Sequence, residues 1–428
     1  MKKEKFSGYW MAVMCFIFIF INMGALNSLG VFMPSLVRET GYTTAQISLM
    51  FTFAGVAAVV TGMTVTPIAL RKLGEKNCML ISTVLTAAHA LIYSFTDSLW
   101  VLYLGATIAG VSIGIGIYAA CCAIIGHWFV KNRLMMLSIV SAGSGIGSAV
   151  MNMFSGAAIV AIGYRHTYQV LAAMVLVVGL VIWFAIRNRP ENMGQKALGA
   201  GEITPTETPK AAPSTGLTFR EALKTPSFYL IFLAGALGSI AWTGVNMYLV
   251  TLLSSNYGLG VNVATRYDAV LRVGVAVFLA VGGKIVEKRG IKFYVLLIGL
   301  ALSSGLLTIL LTGNTIITMP VLLVAVMIVL ALGGTHGNAN AQMLANSVFG
   351  HKDFTTIQAY LVAGANIGLA TAALLAAPWI GEDGSTLGCF RLFFICSVLW
   401  LVLAFVGILL SPYLKKKKEK PNNGNRSV

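Results

Sequence analysis

Asp268 and Arg272 stand four residues apart inside an otherwise apolar run, so on a helix they share one face and can pair. Counted from residue 263 at 1.5 Å per residue, Arg272 lies ~13 Å along that run, near the middle of a hydrocarbon layer roughly 30 Å thick. A guanidinium at that depth costs ~2.5–3.5 kcal/mol on insertion scales unless it is paired or faces water. Two readings follow. The pair is an internal brace of a helix bundle, or Arg272 receives an anionic ligand while Asp268 exchanges partner and proton. Charge kept inside a membrane points to the second.

A second interruption of apolar sequence falls at Gly333, Gly334, Thr335, His336, Gly337, Asn338 and Asn340. Such a break is tolerated at membrane depth where it lines a cavity or is covered by protein. His336 and Asn340 share a face, and imidazole titrates near neutrality. His336 is therefore a candidate for hydrogen bonding to substrate or for carrying a coupled proton, and equally for a neutral packing role. Asn27, Tyr118, Trp242 and Asn246 complete the binding candidates, with Asn22 behind them; Trp242 and Asn246 again repeat at four residues. Helix-to-helix hydrogen bonding accounts for any one asparagine as well as ligand contact does. His89 reads as a scaffold residue.

The elements that position these residues are twelve long apolar stretches in two sets of six. The first set lies near 9–37, 45–70, 77–96, 98–126, 134–162 and 164–187; the second near 226–255, 263–286, 291–312, 318–347, 354–381 and 388–413. Each is long enough for a membrane-crossing helix. Composition agrees: 57% hydrophobic and 10% charged residues leave too little polar surface for a soluble globule. Continuous apolar runs, rather than ~10-residue alternation, exclude a barrel. The expected fold is an all-α membrane protein of twelve transmembrane helices in two six-helix halves. Residues 1–187 form the first half, 188–225 a cytoplasmic linker, 226–414 the second half and 415–428 a basic cytoplasmic tail. Pro190, Pro205, Pro209 and Pro213 mark the linker as a tether. Its end, Leu217 to Phe228, reads as a short amphipathic helix on the membrane surface, with Pro226 starting span seven.

The net charge of +16 suggests a polyanionic partner until the basic residues are placed. With the amino terminus inside, 25 of the 30 Lys and Arg residues fall on cytoplasmic segments, which sets the topology and argues against nucleic acid. Both termini are expected in the cytoplasm of a multi-pass protein of the cytoplasmic membrane. Lys415 to Lys420 read as a solvated stop that touches anionic lipid at most. The opening apolar run reaches about Val37, longer than the ~7–15 residues of a secretion-signal core, and reads as a retained first span. The six cysteines lack metal-ligand spacing and read as packing residues. No nucleophile–base set, phosphate loop or zinc motif is present, so neither an enzyme nor a cofactor or metal is expected. Glycines four apart, Gly110 with Gly114, Gly143 with Gly147 and Gly364 with Gly368, have the spacing of close helix packing.

Between spans eight and nine, Gly283, Glu287, Lys288, Gly290 and Lys292 form G-x-x-x-[D/E]-[K/R]-x-G-x-[K/R]. Between spans two and three, Pro67, Arg71, Lys72, Gly74 and Lys76 keep the same spacing without the leading glycine and the acid. This repeated loop resembles the signature of the major facilitator superfamily. Ser28 to Phe32 (SLGVF), Gly114 to Tyr118 (GIGIY), Trp128, Phe129, Lys131, Arg133, Ser141 to Gly147 (SAGSGIG), Glu221 to Phe228 and Asp383 to Ser385 resemble its monocarboxylate transporter and oxalate:formate antiporter branch, in a prokaryotic form. The resemblance implies a span-eight arginine for a substrate carboxylate, in some members with an acid one turn away. Arg272 precedes Gly283 by 11 residues, about two turns farther out than the resemblance implies. It also implies alternating access, with proton symport or anion exchange left open, and a monomer. Drug efflux and a non-transporting membrane sensor are the rival readings.

Overall fold

The computed structural model describes residues 6–130, 133–198, 216–336, 343–350 and 352–414. These residues are almost wholly helical, because backbone groups in hydrocarbon need partners within their own segment. Nine stretches among them are long and apolar enough to cross a membrane. One of these, Met135–Ala185, folds back at Gly163 (φ 80°, ψ 162°) and makes two passes. Helix Val261–Thr312 folds back at Gly290, and its first arm carries Asp268 and Arg272, so its charge masks an eleventh pass. Pro320–Gly333 supplies the twelfth, short because a 3-10 turn at Gly334–His336 ends it.

Internal repetition is visible in the backbone. Gly74 joins spans two and three at φ 78°, ψ 164°, and Gly290 joins spans eight and nine at φ 82°, ψ 164°. A positive φ there suits glycine alone, which is why the loop signature keeps these two positions. The glycine pairs repeat as well. Gly143 and Gly147 press span five onto the carbonyls of Phe16 and Phe20 in span one; Gly364 and Gly368 press span eleven onto those of Phe232 and Ala236 in span seven. A Cβ at any of the four would lie within 3.0 Å of these oxygens, so the one–five contact of the first half recurs as seven–eleven in the second.

Three apolar cores define how the halves meet. One core joins them, running from Leu29, Phe32, Tyr168 and Val175 of the first half to Val245, Tyr248, Leu306 and Phe393 of the second. A second core, from Met11 to Ile186, belongs to the first half alone, and a third, from Ala222 to Ile408, to the second half alone. The separate cores lie at the end where the chain enters and leaves the bundle. The joint core lies toward the far end, where Tyr42 meets Leu99, Asn256 meets Thr386, and Arg165 pairs with Asp97. The halves are therefore sealed at the far end and separately packed at the terminal end.

The linker docks at both of its described ends, each on its own half. Leu198 donates its N–H to the Trp128 carbonyl (2.9 Å), and Val130 donates to the Leu198 carbonyl (3.0 Å). On the other side, Thr218 and Glu221 form a capping box for the short helix Phe219–Leu223. That helix is tied to the second half by Phe219 N–H to Asp353 Oδ2 (2.8 Å) and Leu217 N–H to the Phe349 carbonyl (2.8 Å), and Pro226 then opens span seven.

Candidate functional site

Halves that share one core at the far end leave a cavity of about 390 Å³ on the central axis, lined from both sides. Three helix pairs bound it. Gly30 of span one approaches the backbone of Asn246 and Met247 in span seven, Gly145 of span five lies against Ala276 of span eight, and Gly55 of span two lies against Ala370 of span eleven.

Span one is broken where it meets the cavity. Helix Gly8–Leu26 ends at Asn27 and a new helix, Leu29–Thr40, begins two residues later. Ser28 donates its hydroxyl to the Ala25 carbonyl (2.6 Å), a local bond that competes with helix continuation. The break turns Asn27 onto the cavity wall, where its Nδ2 donates to Ser148 Oγ (2.9 Å) and Ser148 in turn donates to the Ser144 carbonyl (2.7 Å). Span four carries a π turn at Ile113–Ile117, overlapping the GIGIY segment, and Ile113 also lines the cavity. His89 of span three completes the first-half wall with Tyr93, whose ring it meets edge-on at 5.2 Å.

The second-half wall holds Trp242, Asn246 and Arg272. Asn246 donates Nδ2 to the Trp242 carbonyl (2.8 Å). Behind Arg272, Asp268 is fully buried and its Oδ2 accepts two hydrogen bonds: one from Arg272 Nε at 2.7 Å, the other from Asn152 Nδ2 of span five at 2.6 Å. Asp268 Oδ1 and Asn152 Oδ1 are sealed without a partner. Nε is the one guanidinium nitrogen engaged among the described residues, so Arg272 meets the cavity with both terminal nitrogens uncommitted. Its exposure of 8%, against 0% for Asp268, puts the cation at the wall and the anion behind it.

Of the residues singled out from sequence, Arg272, Asn27, Trp242 and Asn246 line the cavity, and Asp268 holds Arg272 in place. Tyr118 does not line it; the ring is half-buried against the core private to the first half. The His336 and Glu287 side chains and the whole of Asn340 lie outside the described residues. Arg71, Lys72, Lys288 and Lys292 make no ion pair with a described acid; the two-to-three loop is joined instead by Glu75 to His127 Nε2 at 3.1 Å. Sequence reasoning missed Ser144, Ser148 and Asn152, whose four-residue spacing puts all three on one face of span five. His89, read as scaffold, stands at the cavity wall.

A mainly apolar cavity with a few polar groups between two six-helix halves, with glycine-turned loops repeated in each, defines the class. The Major Facilitator Superfamily model matches residues 15–316 and 269–428, and the chain belongs to that superfamily. Solved structures with the same fold include a bacterial homologue of the human lysosomal transporter Spinster, inward-facing and unoccupied, at TM-score 0.72 and 16% identity over 98% of this chain and 100% of that one. The nucleoside transporter NupG follows at TM-score 0.69 and 15% identity, covering 94% and 99%. Among curated relatives, a probable hexose phosphate transport protein of Chlamydia trachomatis is 25% identical over 39% of this chain and 36% of its own length. The membrane sensor protein UhpC of Escherichia coli is 22% identical over 52% and 50%. A gallate transporter of Pseudomonas putida is 22% identical over 65% of each chain. The chain thus spans about a third to two thirds of the length of these relatives.

Proposed function

We propose that this chain is a secondary transporter of the cytoplasmic membrane that moves a small organic anion, a carboxylate, by alternating access. The observation that carries the reading is the pair of uncommitted terminal nitrogens of Arg272 on the wall of a central cavity. A planar guanidinium with two parallel N–H groups free matches a carboxylate in bidentate geometry. Arg272 is the one Lys or Arg among the described lining residues, which suits a single negative charge better than a phosphate ester. The chain fits the monocarboxylate and oxalate:formate branch on its span-one, span-four and span-five motifs, and the similarity to a gallate transporter, whose cargo is a carboxylate, supports the same substrate class.

On this reading the basic loops face the cytoplasm, and with them the terminal end of the bundle. The joint core then closes the outer side and the cavity faces inward. When an anion occupies Arg272, its charge competes with Asp268 for the guanidinium, and Asp268 takes up a proton. The two orphaned oxygens give that proton a place: on Asp268 Oδ1 it can bond Asn152 Oδ1 while Asn152 Nδ2 keeps its bond to Oδ2. A neutral acid–amide pair would then replace a charged contact across the two halves, and the loaded protein can rock without an unpaired charge in the interface. Exchange of anions results if Asp268 stays ionised throughout.

Uptake of labelled carboxylates into proteoliposomes, with and without a pH gradient, tests this. Wild type accumulates a carboxylate and Arg272→Gln does not; equal uptake by both ends the proposal. A sensor is the second reading, favoured by the similarity to UhpC. A protein that binds the carboxylate but never moves it would establish the sensor.

A further inference from the structure

The first-half wall faces Arg272 with a second polar group that has no assigned partner in the cavity. His89 is only 4% exposed, and its Nδ1 lies 2.5 Å from the Thr86 carbonyl oxygen. A carbonyl only accepts, so Nδ1 carries the ring proton and Nε2 presents a lone pair. Nε2 has no hydrogen-bond partner among the described residues, yet it is not sealed off from solvent-sized space, and His89 lines the cavity. Tyr93 packs edge-on against the ring and holds its orientation. Nε2 is therefore a fixed acceptor turned to the ligand space. Met23, Leu26, Phe51 and Trp242 supply apolar lining in the same cavity.

From this we infer that His89 is a specificity-determining residue that selects an anion bearing a hydroxyl group away from its carboxylate, the hydroxyl donating to Nε2. The inference rests on the carboxylate reading of Arg272 and adds a second point of recognition on the opposite half. A ligand gripped by both walls also ties the halves together, so the hydroxyl is read where it affects closure.

A site built to accept a hydrogen bond discriminates against a ligand that lacks the donor, because the buried acceptor is then left unpaired. The test measures binding of two probe pairs to the purified protein by calorimetry: 4-hydroxybenzoate against benzoate, and 3-hydroxypropionate against propionate. At least one hydroxylated probe binds wild type about ten-fold tighter or more than its plain counterpart. His89→Phe brings that ratio to within about two-fold, whereas His89→Gln, which keeps an acceptor, retains a preference. A ratio taken within one variant is insensitive to a general loss of stability. On the unaltered protein, 4-methoxybenzoate, which has the oxygen but no proton to give, binds as weakly as benzoate. Absence of hydroxyl preference in wild type, a preference that survives in His89→Phe, or tight binding of the methoxy probe would each overturn the inference. Arg272→Gln reports separately: it abolishes binding of every probe if the carboxylate reading holds, and unchanged binding there sinks that reading and not the hydroxyl preference.

Discussion

The same helix contact is built twice across the two halves, and only one copy is charged. Span five meets span eight as span eleven meets span two, each pair six spans on from the other. In the first, Gly145 packs on Ala276 and Asn152 reaches Asp268; in the second, Gly55 packs on the backbone of Ala370. Asp268 and Arg272 lie 22 and 18 residues before Gly290, and the same steps back from Gly74 reach Thr52 and Val56. Counting from the paired glycines Gly147 and Gly368, the position matching Asn152 is Ala373. At the positions equivalent to the ion pair and its amide stand Thr52, Val56, which is exposed, and Ala373. The uncharged copy thus brings its helices together without an ion pair. On the proposed function, the pair serves a ligand rather than bracing the bundle.

Removing the charge from the charged copy has the largest expected effect. Arg272→Gln leaves the helical content and the seal intact and lowers carboxylate uptake by about 100-fold or more, in line with losing a charge-assisted bidentate contact. A variant that transports normally would erase the distinction between the two interfaces. Asp268→Asn comes next: downhill anion movement persists, while accumulation driven by a pH gradient is lost, measured as the ratio of uptake with and without the gradient. Asn152→Ala removes one of the two hydrogen bonds to a buried carboxylate, worth about 1.5–3 kcal/mol when the acceptor is charged. It should slow transport about ten-fold or more and lower the unfolding midpoint, whereas Ala373→Gly at the matching position does far less to transport. The smallest effect belongs to Gly55→Ala in the uncharged copy. A Cβ there sits 3.2 Å from Ala370 Cα, so the helices part by a few tenths of an ångström and uptake stays within about three-fold of wild type. A larger loss would show that both interfaces are equally exacting.

Much of this was legible in the residues because the bilayer makes polarity conspicuous. An arginine and an aspartate in an apolar run stand out, as do Asn27 and Asn246, and all four fall at or beside the cavity. The repeated loop was legible because a positive φ leaves only glycine, at Gly74 and again at Gly290. Serine is less conspicuous, since it packs between helices nearly as well as alanine, and Ser144 and Ser148 declared themselves only by spacing. Asn152 escaped notice because its meaning lies in Asp268, 116 residues away, a pairing that no local pattern encodes. His89 was read as scaffold because one imidazole in an apolar helix gives no hint of which nitrogen faces a cavity. Tyr118 lies one step back from the wall: its ring packs on a core while its side chain hydrogen-bonds Ser144, which lines the cavity.

A structure of the protein with a bound carboxylate tests the central claim most directly. Both carboxylate oxygens should lie about 3 Å from the two terminal nitrogens of Arg272, with Asp268 and Asn152 behind them. A carboxylate found elsewhere in the cavity, with those nitrogens still uncommitted, would contradict it.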